Sequence, residues 1–128
     1  MLSQNPSAID LIRANPDKID WDGLCKNPSA IDLIRANPDK INWYCLCFNP
    51  AAIDLIKANI DKINWYALSM NKHADAIKLI EQHIDKANRW NLSTNQAATK
   101  LLERYPHLID WNAISYNPAA IHIIRANL

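Results

Sequence analysis

The chain has 128 residues, 49% of them apolar, with 14 basic against 13 acidic side chains and a formal net charge of +1. Its single glycine (Gly23) excludes a Gly-rich phosphate loop or a dinucleotide turn, which need several close-approach positions. The absence of valine, with Thr94 and Thr99 the only threonines, argues against a sheet-based fold. No stretch approaches the roughly 18 uninterrupted apolar residues of a membrane span, and the opening Met1–Pro6 does not read as a signal peptide. Near-neutral charge sets up no field that would draw the chain to nucleic acid or anionic lipid. The expected setting is therefore cytoplasmic and reducing, with Cys25, Cys45 and Cys47 as free thiols.

Self-similarity decides the expected fold. The segment from Leu2 to Trp21 recurs from Leu24, Leu46, Leu68, Leu92 and Ile114. The spacing is 22 residues, except in the fourth repeat, where two extra residues between Lys72 and Asp75 make 24. Five full repeats and a half fill residues 1–128, which reads as a single helical repeat domain.

Each repeat predicts two short helices. An Asn at Asn5, Asn27, Asn49, Asn71, Asn95 or Asn117 suits an N-cap, and the Pro that follows most of them suits the first helical position. After Asn5-Pro6, the residues Ala8, Ile9, Leu11 and Ile12 give an amphipathic spacing. A second Asn, at Asn15, Asn37 and Asn59, ends that helix and opens a turn. Asp20, Asn42, Asn64, Asn88 and Asp110 then offer caps for a second helix carrying Trp21, Leu24 and their equivalents. Helices this short do not stand alone in water, so they must bury their apolar faces on neighbouring repeats. The expected architecture is all-α, an α-solenoid of about five and a half 22–24-residue, two-helix repeats.

Charge supports the register. Asp10/Arg13, Asp32/Arg35 and Asp54/Lys57 become Lys78/Glu81 and Lys100/Glu103, so the signs swap together, as expected of i, i+3 pairs on an exposed face. The pattern resembles the tandem Asn-Pro repeats of proteins from large nucleocytoplasmic DNA viruses, and the resemblance covers nearly the whole chain. Repeats four and five depart from it at Lys72 and Gln96, which stand for Pro, and at Arg89, which stands for Trp. The resemblance implies a helical repeat protein in a host cytoplasm. It implies no activity, because the family has none to carry over.

No constellation of base, nucleophile or metal ligand rises above the repeat, so a non-enzymatic chain without cofactor or metal is expected. The Trp column (Trp21, Trp43, Trp65, Trp111) reads as packing between repeats before it reads as a base-stacking ladder. The lysines at 18, 40, 62 and 86 each follow an Asp and read as a solvated mixed face. Cys-x-Cys at Cys45 and Cys47, with His73, His83, His107 and His122 scattered elsewhere, is a poor zinc pattern. Cys25 and Cys47 share a column with Ser3, Ser69, Ser93 and Ser115 and read as small residues at a tight contact.

In repeat proteins the framework columns repeat while the binding face varies. Two second-helix columns vary most: Asp22, Tyr44, Tyr66, Trp90, Asn112, and Lys26, Phe48, Met70, Thr94, Tyr116. They lie four residues apart and share one helical face. Tyr44, Phe48, Tyr66, Met70, Trp90 and Tyr116 are therefore the candidate partner-binding residues. The expected function is a scaffold that binds a host or viral protein, or other chains of its own kind through exposed apolar ends. A structural virion component is the alternative. A single-stranded nucleic-acid reader is a more remote one, disfavoured by neutral charge.

Overall fold

The computed structural model describes residues 19–128, together with Ala14. They fall into two compact bodies, one ending at Asn64 and one running from Trp65 to Leu128. Among the described residues every regular element is an α-helix or a 3₁₀ turn and none is a strand. The all-α class expected from the missing valine therefore holds.

In the N-terminal body the helices are α1 (Trp21–Cys25), α2 (Ile31–Ala36), α3 (Trp43–Leu46) and α4 (Ile53–Lys57). The C-terminal body has α5 (Trp65–Leu68), α6 (Ala74–Gln82), α7 (Arg89–Thr94), α8 (Thr99–Arg104) and α9 (Ile121–Ala126). The Asn-Pro step does not start an α-helix directly. It opens a 3₁₀ turn (Pro28–Ala30, Pro50–Ala52 and Pro118–Ala120; Gln96–Ala98 where Pro is lost), which then relaxes into the helix. The cause is the short reach of the cap. Oδ1 of Asn27, Asn49, Asn95 and Asn117 each accepts the N–H two residues on, at 3.0 Å. The Asn backbone carbonyl takes the N–H three residues on, as at Ala30 and Ala98, and that tightens the first turn.

The second Asn closes a helix instead of opening one. Nδ2 of Asn37, Asn59 and Asn127 donates to the carbonyls of Leu33, Leu55 and Ile123, four residues back. These carbonyls are among the groups that a helix end leaves unpaired. Three of the predicted caps of the second helix hold: Asp20, Asn42 and Asn88 each accept the N–H three residues on. Asp110 likewise accepts the Ala113 N–H, but there a turn and the 3₁₀ segment Ile114–Tyr116 stand in place of the expected second α-helix.

The core is columnar. Leu24, Leu46, Leu68 and Leu92 are fully buried, as is the alanine column Ala30, Ala52, Ala76, Ala98 and Ala120. Each such Leu contributes about 2 kcal/mol by burial, while the alanines let neighbouring 3₁₀ turns approach closely. The lone Gly23 is buried and has no positive φ. It serves closeness, and no left-handed turn needs it.

Candidate functional site

A helix of four to six residues can bury only one stripe, so whatever stands two residues before the buried Leu is turned outward. That places the first candidate column in solvent: Tyr44 is 42% exposed, Tyr66 52% and Trp90 48%, with Tyr116 of the second column at 72%. Phe48 and Met70, four residues after Tyr44 and Tyr66, are half-buried. In the N-terminal body Tyr44 meets Phe48 edge to face at 5.2 Å, and the Lys26 ammonium lies 5.7 Å from the Phe48 ring. In the C-terminal body Trp90 and Tyr116 lie 6.2 Å apart. There the two columns read Tyr66, Trp90, Asn112 and Met70, Thr94, Tyr116, without a single charge. Exposed large aromatic rings grouped in this way are the composition of a protein-binding face.

Behind that face, successive repeats are joined by a polar clamp that the cap reading missed. In the N-terminal body Asn49 Nδ2 donates to the carbonyls of Cys25 and Asn27, at 2.9 and 3.1 Å. In the C-terminal body Asn95 does the same to Ser69 and Asn71, and Asn117 to Ser93 and Asn95, all at 2.9–3.1 Å. One amide thus caps its own turn with oxygen and holds the preceding repeat with nitrogen. Asp, Ser and Thr cap as well as Asn or nearly so. A carboxylate, however, has no proton to donate and a hydroxyl only one, whereas the amide caps with its oxygen and bridges two carbonyls with its NH₂. The Ser/Cys column completes the clamp. The hydroxyls of Ser69 and Ser93 accept the N–H of Asn88 and Asp110 in the next repeat, at 3.0 and 2.9 Å.

The Trp column lies against the following repeat. Lys62 sits 5.7 Å from the Trp43 ring and His83 5.4 Å from Trp65. Arg89, which takes the place of a Trp, donates to the carbonyls of Leu108 and Ile109. These rings are half-buried packing elements and not a free ladder. Trp111 differs: it is 49% exposed and lines a cleft of about 240 Å³ with Leu102, Pro106, Ile109 and Ile123, next to a contact between Glu103 and His122.

The charge pairs also run between repeats. Glu81 meets Arg104 and Glu103 meets His122, while Lys78 pairs with Asp75 at 3.9 Å. The expected i, i+3 partners of Glu81 and Glu103, Lys78 and Lys100, do not close on them. The carboxylates are instead tied to the next repeat, Glu81 to the Arg104 guanidinium and Glu103 to the His122 ring. Such exposed pairs contribute about 0.5 kcal/mol or less each.

All three cysteines are buried and form no disulfide. Burial raises the Cys25 and Cys45 thiols, and pushes Cys47 up to about 11, against a smaller opposing effect from the backbone N–H of Asn64. A folded-state value above the unfolded one means that stability is full below the unfolded pKa. It is lost as pH rises through the interval from about 9 towards 11. Native protein at pH 8 should therefore react with an alkylating reagent on Cys47 at least about a hundredfold more slowly than urea-unfolded protein. Equal rates, read by mass spectrometry, would contradict the burial. Among the described residues no three His, Cys, Asp or Glu side chains converge to hold a metal ion, and no helix is long and apolar enough to cross a membrane. No family model, no curated protein and no solved structure matches this chain.

Proposed function

We propose that the chain is a non-enzymatic α-solenoid scaffold that binds another protein through its second-helix aromatic face. The observation that carries this reading is the exposure of Tyr66, Trp90 and Tyr116 on an uncharged face of the C-terminal body. These rings project from helices whose opposite stripe is fully buried, so binding there leaves the clamp untouched. The clamped succession of repeats within each body supports stacking that continues as a solenoid along the chain. The Asn-Pro pattern favours a viral source, a host cytoplasmic setting and a protein partner there, with incorporation into virions as the alternative.

The test compares wild type with Tyr66→Ala/Trp90→Ala/Tyr116→Ala as bait in a lysate of the source or host cells. The variant should melt within about 4 °C of wild type, as surface changes do, and should lose the proteins that wild type retains. An unchanged retained set sinks the reading, as does a collapse of the melting temperature. Retained nucleic acid that elutes steeply with salt would turn the reading towards single strands.

A further inference from the structure

Charge, hydrogen-bonding groups and spacing on the aromatic face of the C-terminal body constrain what can lie on it. The face carries no charge, whereas the same two columns hold Asp22 and Lys26 in the N-terminal body. Its rings bring donors to the surface. Tyr66 and Trp90 are about half exposed although a further repeat follows each of them. Among the described residues, neither the Tyr66 hydroxyl nor the Trp90 indole N–H bonds within the chain.

The rings also recur at a fixed step. Asn91 Nδ2 donates to the Tyr66 carbonyl at 3.0 Å, so α5 and α7 lie directly side by side. Packed helices stand about 8–10 Å apart, and that is the step from the Tyr66 position to the Trp90 position. The Asn91 amide sits at this junction, 5% exposed, and its oxygen accepts no bond from the described residues. No fully buried side-chain oxygen among them lacks a partner, so this one opens to solvent.

Regular backbones differ in how well they meet such a face. An α-helix advances about 5.4 Å per turn, and its carbonyls are taken by its own N–H groups. A strand returns to the same side about every 6.7 Å and needs a sheet edge, of which the described residues have none. A polyproline II segment brings every third residue to the same side, about 9 Å apart, and leaves its carbonyls free. Its prolines are uncharged, have no N–H and pack on aromatic rings. The face offers uncharged donors, and the segment offers uncharged acceptors at the same step.

We propose that the face built on Tyr66 and Trp90 binds a proline-rich segment of its partner in polyproline II form, one turn per repeat. The proposal rests on the protein-binding reading and names the chemistry of the partner. One proline packs on Tyr66. The proline three residues away packs on Trp90, flanked by Tyr116, whose ring lies 6.2 Å from that of Trp90 at an angle of 43°. The Trp90 indole donates to a carbonyl of the segment, and Asn91 Oδ1 accepts the N–H of a residue between the prolines.

Fluorescence anisotropy with labelled peptides on the full 128-residue chain tests it. The probes are five Pro-Ala-Ala triplets, a peptide with five prolines spaced every fourth residue among alanines, and an amphipathic leucine-rich helical peptide. The triplet peptide should bind with a dissociation constant of about 0.1 mM or below, and the four-residue spacing should weaken binding about fivefold or more. Tyr66→Ala and Trp90→Ala should each weaken the triplet peptide about tenfold or more. Trp90→Phe keeps a ring without the donor and should weaken it about three- to tenfold. Absence of triplet binding at about 1 mM overturns the proposal, as does a Trp90→Ala chain that binds like wild type or a helical peptide that binds more tightly than the triplets. Should Trp90→Ala unfold in a circular-dichroism melt, Trp90→Phe and the two spacings decide, and equal affinity in both comparisons overturns it. A bait that retains lysate proteins through the aromatic rings while the triplet peptide fails overturns this proposal alone and leaves the protein-binding reading standing.

Discussion

Replacing Asn95 by aspartate is expected to destabilise the C-terminal body by about 3–5 kcal/mol. Aspartate caps a helix as well as asparagine does, so the Ala97 N–H would keep its acceptor. The loss falls on the other end of the side chain. Asn95 is 3% exposed, and its Nδ2 donates to the Ser69 and Asn71 carbonyls at 3.0 and 2.9 Å. An aspartate presents an acceptor to two acceptors, in a place that water does not reach. Urea unfolding followed by far-ultraviolet circular dichroism measures the difference. A change below about 0.5 kcal/mol, typical of an uninvolved surface site, would reduce the clamp to a cap.

Leu92→Ala should cost about 3–4 kcal/mol, whereas Trp90→Ala, two residues earlier on the same helix, should cost about 0.5 kcal/mol. Leu92 is fully buried and Trp90 is 48% exposed. The larger ring thus matters less to stability, because it is turned to solvent while the Leu fills the column between repeats. The same denaturation experiment reads both. Comparable losses would mean that Trp90 packs between repeats and is not available to a partner.

The repeats, the caps and the direction of each helix face were legible from local spacing alone. Asp20, Asn42 and Asn88 cap where their positions before an apolar helix require, and Leu24, Leu46, Leu68 and Leu92 are buried as the framework column should be. The outward turn of Tyr44, Tyr66 and Trp90 follows from the same periodicity. The clamp did not follow from it, because its partners lie 22 to 26 residues away. Local rules require only an oxygen at a cap. The available signal was the exclusive choice of Asn at all six positions from Asn5 to Asn117, where Asp, Ser and Thr would have capped. The serine and cysteine column carried a weaker one: both side chains accept a hydrogen bond, whereas the equally small Ala is missing from it. Charge misled for a related reason. Lys78 and Glu81 are neighbours by spacing, but the Glu81 carboxylate meets Arg104, an element that i, i+3 arithmetic does not see.

The clamp points one way: at each of the three junctions described, the later repeat gives the amide and the earlier one gives the carbonyls. The repeat led by Asn95 carries both a plug and a socket of the same pattern. Whole repeats can be duplicated or deleted in the gene without redesigning a junction, since any plug meets an equivalent socket. Insertions smaller than a repeat are tolerated only away from both. The two extra residues between Lys72 and Asp75 obey that restriction: they fall after Asn71, where His73 caps the longer helix α6. Length in such a chain is free to vary in steps of one repeat, and the number of aromatic rings offered to a partner varies with it.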